Sequence, residues 1–212
     1  MQIAVLLYDR FTALDAVGPY EVLGRIPDAE VVFTAARPGP VRTDLGSLVV
    51  TAEAAFSEVT RPDVLLVPGG PGTAEALADP ETLDWIRRVD ATTTWTTSVC
   101  SGSLLLAGAG LLAGRRATSH WICLEQLPAF GAVPTPERVV IDGKYATAAG
   151  VSAGIDLALH LTGRIAGDDV ARAVQLVVEY DPQPPYDAGS VATAPAELVA
   201  SLRASGLAIG TP

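Results

Sequence analysis

Cys100 is the residue of this sequence best placed to act as a nucleophile. It lies in Ser-Val-Cys-Ser-Gly-Ser at 98–103, between a predicted strand and an apolar helix. This is the pattern of a nucleophile elbow, a sharp turn that presents a reactive atom above a sheet. The N–H groups that begin the following helix favour the thiolate and can stabilise an anion on a substrate. The alternative interpretation is a buried structural cysteine.

Asp15 is the candidate proton carrier, because it is a carboxylate in the otherwise apolar run at 12–19 (Thr-Ala-Leu-Asp-Ala-Val-Gly-Pro). Burying a carboxylate is costly unless it has partners. Beside a thiol, such a group would have a raised pKa and could accept and return a proton. The alternative interpretation is an ordinary cap on a short helix that begins at Pro19.

Two further segments carry candidate residues. Pro-Gly-Gly-Pro-Gly at 68–72 brings backbone N–H groups of Gly69 and Gly70 to the end of a strand, although such a cluster is also simply a turn. His120 could orient a nucleophile or cap the helix that follows it. Two cysteines, Cys100 and Cys123, and two histidines indicate neither a disulfide framework nor a zinc site.

These residues must be positioned by strands and helices that alternate along the chain, a pattern typical of an α/β fold with a mostly parallel sheet. The predicted strands are 2–8, 31–35, 63–67, 93–99, 138–141 and 145–148. The predicted helices are 19–23, 81–89, 102–112, 153–161, 170–179 and 195–202. The proline-rich segment 181–186 cannot be helical and is expected to form a rigid strap. We expect a single domain over residues 1–212.

The predicted topology brings the candidate residues together. In an open parallel sheet, ligands bind beyond the carboxyl ends of the strands. The first predicted strand leads to a loop that holds Asp15, the third ends at the glycine cluster, and the fourth runs into Cys100. If these strands are parallel neighbours, Asp15, the backbone of Gly69 and Gly70, and Cys100 converge on one cleft.

The composition narrows the classes of function. Hydrophobic residues make up 49% of the chain and charged residues 18%, which indicates an ordered globular protein. The net charge of −10 argues against nucleic acid and anionic membranes as partners. No apolar run is long enough to span a membrane. The N-terminus lacks the basic region of a signal peptide, so we expect a cytoplasmic protein.

Several motifs, in their order and spacing, resemble those of the ThiJ/PfpI superfamily. They are Val-Pro-Gly-Gly at 67–70, Val-Cys-Ser-Gly-Ser at 99–103, Ala-Thr-Ser-His-Trp at 117–121 and Ala-Ala-Gly-Val-Ser-Ala-Gly-Ile-Asp at 148–156. The resemblance covers nearly the whole chain. It implies a flavodoxin-like three-layer sandwich, a cysteine elbow at Cys100 and usually a homodimer.

Within that superfamily, Asp15 and the segment 179–189 resemble the isonitrile hydratase branch. Many proteases, chaperones and glyoxalases carry a glutamate near the end of the first strand instead. The protease branch has histidine directly after the nucleophile and the hydratase branch typically has threonine, whereas this chain has Ser101.

The resemblance implies the following chemistry. Cys100 attacks an isonitrile to form a thioimidate, Asp15 acts as general acid and base, and water releases an N-substituted formamide without metal or other cofactor. Ser101 and the Gly70 N–H are expected to donate hydrogen bonds to the intermediate. Gly69 and His120 are the other expected substrate-binding residues.

Two alternative functions remain open from the sequence. One is hydrolysis of another small electrophile such as a glyoxal, which is expected to need a glutamate partner that this chain lacks. The other is a ligand or redox sensor in which Cys100 is oxidised and read by a partner. The same motifs occur in regulators that carry an additional helix-turn-helix domain, and we expect no such domain within residues 1–212.

Overall fold

The fold is built on a central sheet whose strands alternate with helices along the chain. The computed structural model describes residues 1–205. The strands are β1 (Gln2–Leu6), β2 (Glu30–Ala35), β3 (Gly39–Arg42), β4 (Val49–Ala52), β5 (Ala54–Ala55), β6 (Val64–Val67), β7 (Trp95–Val99), β8 (Arg116–Ala117), β9 (Val133–Pro134), β10 (Val139–Asp142) and β11 (Tyr145–Ala148). The helices are α1 (Ala13–Leu23), α2 (Thr73–Ala78), α3 (Pro80–Asp90), α4 (Gly102–Gly108), α5 (Ala153–Ala166), α6 (Asp168–Val177) and α7 (Ala196–Ala204). A 3-10 helix covers Leu124–Phe130.

Within residues 1–205, seven strands form one sheet in the order β10-β11-β7-β6-β1-β2-β5. The β1 strand pairs in parallel with β2 and β6, while β7 pairs in parallel with β6 and β11. The β10 strand is antiparallel to β11 at one edge. The inner order β2-β1-β6-β7-β11 is the flavodoxin-like order. The predicted mostly parallel sheet is therefore confirmed.

Alternate residues of the central strands pack on opposite sides of the sheet. On β1, Ile3 and Val5 belong to the core that includes α1 and α5, whereas Ala4 and Leu6 belong to the core that includes α3 and α4. Because successive strand side chains point to opposite faces, a strand that is covered on both faces is apolar throughout. The helices thus form two outer layers, and the predicted three-layer sandwich is confirmed.

Helix α1 is longer than predicted, because it begins at Ala13 and not at Pro19. A proline inside a helix removes a backbone hydrogen bond, which is why the sequence suggested a start at that residue. Packing against α5 offsets this loss: a Cβ added to Gly154 would lie 3.0 Å from Cγ of Pro19. As a result, Asp15 lies in the first turn of a helix and not in a loop.

Helix α4 is shorter than predicted, because it ends at Gly108 and not at residue 112. The side chain of Leu77 occupies the space beside Gly108, where an added Cβ would lie 2.2 Å from the leucine Cδ1. Gly110 then adopts a φ angle of +83°, which does not continue a helix. The hairpin of β3 and β4 and the short helix α2 were not predicted from the sequence.

The C-terminal part of the described chain contains the two predicted helices and a non-helical segment between them, whereas the expected rigid strap stays a prediction. Residues 181–186 are exposed and non-helical. The predicted single domain includes residues 206–212, which lie outside the described residues, and it stays a prediction. Among the helices of residues 1–205, none is both long and apolar enough to cross a membrane.

Candidate active site

Cys100 occupies a strained turn between β7 and α4. Its φ angle is +60°, in the left-handed region that residues other than glycine rarely adopt. Its N–H donates to the carbonyls of Ala148 and Ala149, each at 3.1 Å. Its own carbonyl accepts the hydroxyls of Ser103 at 3.2 Å and Ser119 at 3.1 Å. These bonds hold a conformation that costs roughly 1–3 kcal/mol and that is typical of functional sites.

Two glycines allow the loop after β6 to approach this turn. A Cβ on Gly102 would lie 2.2 Å from the carbonyl oxygen of Val67. A Cβ on Gly69 would lie 2.4 Å from the backbone nitrogen of Ser101. Because both obstacles are backbone atoms, neither position has room for a side chain. The glycine cluster therefore does more than form a turn, because it brings the end of β6 against the Cys100 turn.

The side chain of Asp15 is fully buried beside the cysteine. Its Oδ2 accepts a hydrogen bond of 2.9 Å from the N–H of Gly69. Its Oδ1 has no partner of standard geometry within residues 1–205, yet a hydrogen bond with the Cys100 side chain influences its pKa. The thiol of Cys100 and the carboxyl of Asp15 are therefore neighbours in this buried site. The interpretation of Asp15 as a cap at Pro19 is wrong, because the helix starts before Asp15.

The buried surroundings raise the pKa of both groups. Burial raises the pKa of Asp15 to about 7, against smaller opposing effects of hydrogen bonds with Gly69 and Cys100. Burial, followed by the charge of Asp15, raises the pKa of the Cys100 thiol well above its ordinary value. Hydrogen bonds from the N–H groups of Ser101 and Val151 oppose that rise without reversing it. The N–H at the start of α4 thus favours the thiolate as expected, but burial and the charge of Asp15 outweigh it, and the thiol is the resting form.

The hydroxyl of Ser101 belongs to a network with the glycine loop. Its Oγ accepts the N–H of Gly70 at 3.0 Å and lies 2.8 Å from Oγ1 of Thr73. Thr73 also donates to the Gly70 carbonyl at 2.7 Å and lies 3.1 Å from the Tyr8 hydroxyl. The Gly70 N–H, which we expected to donate to a reaction intermediate, is thus already bound to Ser101. In this arrangement the N–H of Gly70 positions the hydroxyl of Ser101.

Sequence reasoning missed three of these residues. Thr73 directly follows the glycine cluster, Ser119 precedes His120, and Tyr8 follows β1. The Tyr8 hydroxyl donates to the carbonyl of Pro68 at 2.9 Å. All three lie in segments that the sequence analysis had already placed near the site, and their hydroxyl groups are the signal that could have identified them.

His120 lies half-buried in the wall of a pocket next to the turn. Its Nδ1 accepts the N–H of Ile122 at 3.3 Å, a local capping bond that was one of its two interpretations. Its ring packs against Gly150, where an added Cβ would lie 2.3 Å from Cδ2. Burial lowers the pKa of His120 below its ordinary value, so the ring is mainly neutral at pH 7.

This pocket has a volume of about 550 Å³ and adjoins Cys100. Its wall includes Ser119, which donates to the Cys100 carbonyl, and Val151, whose N–H hydrogen-bonds to the cysteine side chain. The cysteine itself is fully buried and is not among the residues that line the pocket. Pockets of this size hold small organic ligands.

A model of the DJ-1/PfpI family matches residues 1–163. The chain belongs to the DJ-1/PfpI family. All the candidate residues of this DJ-1/PfpI protein, from Asp15 to Val151, lie in the matched region. Helices α6 and α7 lie beyond it.

Two bacterial proteins are similar to this DJ-1/PfpI protein over almost its entire length. An isonitrile hydratase from Pseudomonas putida is 44% identical over 203 residues, which are 96% of this chain and 89% of the hydratase. The crystal structure of a ThiJ/PfpI family protein from Pseudomonas syringae is 42% identical, with a TM-score of 0.94, and the match covers 97% of this chain and 86% of that one.

A transcriptional regulator is similar to a shorter part of this chain. The HTH-type transcriptional regulator CdhR from Pseudomonas aeruginosa is 35% identical over 137 residues, which are 63% of this DJ-1/PfpI chain and 40% of the regulator. The family thus includes proteins of more than one class of function.

Proposed function

We propose that this protein is an isonitrile hydratase, which adds water to an isonitrile to give an N-substituted formamide. The observation that carries the proposal is the buried carboxyl of Asp15 beside the thiol of Cys100. The 44% identity to the Pseudomonas putida isonitrile hydratase over 96% of this chain supports it.

The resting site holds the groups that the first step requires. The pKa of Asp15 is about 7 and that of Cys100 is raised well above its ordinary value. Above neutral pH the pair therefore carries one proton, mainly on sulfur, and one negative charge, mainly on the carboxylate. Addition of a thiol to an isonitrile consumes one proton and one sulfur electron pair, which this pair supplies.

In the first step, the terminal carbon of the isonitrile gains a hydrogen and a bond to sulfur. Asp15 takes the thiol proton and delivers it to that carbon, while the Cys100 sulfur attacks as a thiolate. The carbon lone pair takes the proton, and the electrons of one π bond move to nitrogen, so the carbon–nitrogen triple bond becomes a C=N double bond. The result is a thioimidate bound to Cys100, with the carboxylate of Asp15 regenerated.

In the second step, water replaces the sulfur. Asp15 accepts a proton from water as the oxygen bonds to the thioimidate carbon, and the substrate nitrogen receives that proton. The C–S bond then breaks, the carbonyl forms, and the hydroxyl proton passes through Asp15 to the leaving sulfur. One isonitrile and one water have become one formamide, and no cofactor is required because Cys100 supplies the covalent intermediate.

The other site residues have positioning and electrostatic roles in this proposal. The N–H groups of Ser101 and Val151 hydrogen-bond to the Cys100 side chain and would stabilise the thiolate as it forms and leaves. The N–H of Gly69 orients the carboxylate, and Gly70 holds the Ser101 hydroxyl. We propose that His120 contacts the substrate from the pocket wall.

We also propose that the protein is a cytoplasmic homodimer of single-domain chains. Tyr20 on α1 remains 39% exposed, and such apolar surface supports self-association. Sedimentation velocity on the purified protein tests the dimer. A monomer at every concentration would contradict it.

Turnover of cyclohexyl isocyanide tests the hydratase proposal directly. The wild-type protein should produce the formamide, while Cys100→Ala and Asp15→Ala should not. The other buried cysteine provides a matched control, and Cys123→Ala should retain activity. Absence of turnover by folded wild-type protein would overturn the proposal and favour another electrophile, such as a glyoxal, or a sensor. Full loss of activity in Cys123→Ala would overturn the assignment of the nucleophile.

A further inference from the structure

The pocket beside Cys100 has two walls from different parts of the chain. The inner wall includes Val151, from the region that the family model matches. The outer wall includes residues 189–191 and Arg203, which lie beyond that region. The part of the pocket nearest the nucleophile is thus common family architecture, while its outer side is supplied by the C-terminal extension.

Large apolar side chains line this pocket together with charged ones such as Glu125. Leu14, Trp121, Leu124 and Val191 all line it. Leu14 is 41% exposed and Val191 is 46% exposed, so both present apolar surface that the core does not use. Covering such surface is favourable by roughly 25 cal/mol per Å². An apolar group in this space would therefore be stabilised.

A cation–π contact joins the extension to the opposite wall. The guanidinium carbon of Arg203 on α7 lies 5.7 Å from the centre of the Trp121 ring. No residue of Ala196–Ala204 is fully buried, so α7 is held at the surface by few contacts of this kind. The contact keeps α7 beside the pocket mouth, and the segment 189–191 lies along the same side.

The size of the pocket limits what would fill it. Its volume of about 550 Å³ lies within the range of sites that enclose drug-sized ligands. A methyl or ethyl group would leave most of the apolar lining uncovered. A bicyclic aromatic group would cover more of this lining, to which both Trp121 and Val191 contribute.

We propose that residues 189–191 and α7 form a specificity wall, and that the preferred substrate is an isonitrile with a large apolar N-substituent. This inference rests on the proposed isonitrile hydratase function. The isonitrile carbon would approach Cys100 past Val151, and the substituent would lie between Trp121 and Val191. These last two residues would select the substrate without taking part in bond making.

The test compares kcat/KM for methyl isocyanide and naphthyl isocyanide in full-length protein. The wild type should prefer the naphthyl substrate by about tenfold or more, because it alone covers the apolar lining. Trp121→Ala removes one side of the wall and Val191→Trp fills the space. Each should lower kcat/KM for the naphthyl substrate by about tenfold and leave that for the methyl substrate within about twofold.

Val49→Trp is the matched control, because Val49 is 40% exposed and lines no part of this pocket. It should change neither kcat/KM value. Circular dichroism establishes that each variant is folded. If Val191→Trp does not fold, the effect of Trp121→Ala on the two kcat/KM values tests the specificity wall by itself.

The outcomes separate this inference from the function on which it rests. Turnover of both isonitriles by the wild type without preference, or equal effects of Trp121→Ala on both, would overturn the specificity wall and leave the hydratase function standing. Failure of the folded wild type to turn over either isonitrile would overturn both.

Discussion

The carboxylate of Asp15 on α1 and the backbone N–H of Gly69 after β6 are joined by a hydrogen bond of 2.9 Å. This bond connects a helix on one side of the sheet to the loop that also packs against Cys100. It fixes one oxygen of the carboxyl, while the other has no hydrogen-bond partner of standard geometry within residues 1–205. The position of the proposed base is therefore set jointly by α1 and by the glycine loop.

Hydratase activity should increase with pH through about 7. The proposed mechanism requires an ionised Asp15, and burial raises the pKa of this carboxyl to about 7. The acidic limb of kcat/KM for formamide production, measured from pH 5 to pH 9, should therefore have its midpoint near neutral pH. A midpoint near the ordinary value of 3.8 would show that a different group is titrating.

Asp15→Asn should stabilise the folded protein, and most strongly above pH 7. The pKa of Asp15 is raised from 3.8 to about 7, so the unfolded chain releases this proton at lower pH than the folded chain. Stability is therefore lost as pH rises from about 4 through about 7. Asparagine remains neutral and can still accept the N–H of Gly69. At 1.36 kcal/mol for each pKa unit, the gain is at most about 4 kcal/mol.

Urea unfolding of both proteins at several pH values measures this effect. The difference in the free energy of unfolding between Asp15→Asn and the wild type should grow from pH 4 to pH 8. A difference that does not change with pH would contradict the raised pKa of Asp15.

Gly69→Ala should impair activity strongly. Its Cβ would lie 2.4 Å from the backbone nitrogen of Ser101 and 2.9 Å from Cβ of Cys100, so the nucleophile turn would have to move. Displacement of reacting groups by about 1 Å can lower kcat by about 100-fold. Steady-state kinetics with cyclohexyl isocyanide measure the loss.

Gly163→Ala is the matched control for this substitution. Its Cβ would meet the exposed Asp168 carboxylate at 3.2 Å, and that side chain can rotate away. Alanine also has a higher helix propensity than glycine, so the variant should be fully active and at least as stable as the wild type. Equal activity of both glycine variants would show that the close approach at Gly69 is not needed for catalysis.

Ser101→Ala should destabilise the fold by about 1–3 kcal/mol, because it leaves the buried N–H of Gly70 without its acceptor. Activity should also decrease, while Ser101→Thr should preserve both properties because it keeps the hydroxyl. Ser57→Ala, at an exposed position, is the control and should change the free energy of unfolding little. An unchanged stability of Ser101→Ala would mean that water replaces the hydroxyl.

Features that depend on neighbouring residues were predictable from the sequence. The apolar run at Val64–Val67 is a buried strand, as predicted, because a strand covered on both faces needs apolar residues throughout. The predicted strand Tyr145–Ala148 is also present and buried. Cys100 was identified because a strand, a set of small residues and an apolar helix follow one another within a few positions. The convergence of Asp15 and the glycine loop on Cys100 followed from parallel topology.

Features that depend on distant residues were decided only by the tertiary structure. The start of α1 contradicts the local signal of Pro19, because packing on α5 outweighs the lost backbone hydrogen bond. The protonation of Cys100 contradicts the local effect of a helix start, because burial and the charge of Asp15 come from the whole site and are larger. No pattern of neighbouring residues in the sequence indicates that residues 189–191 form part of a pocket wall. Hydrogen bonding, desolvation and cavity shape each depend on many residues that are distant in the sequence and come together only when the chain folds.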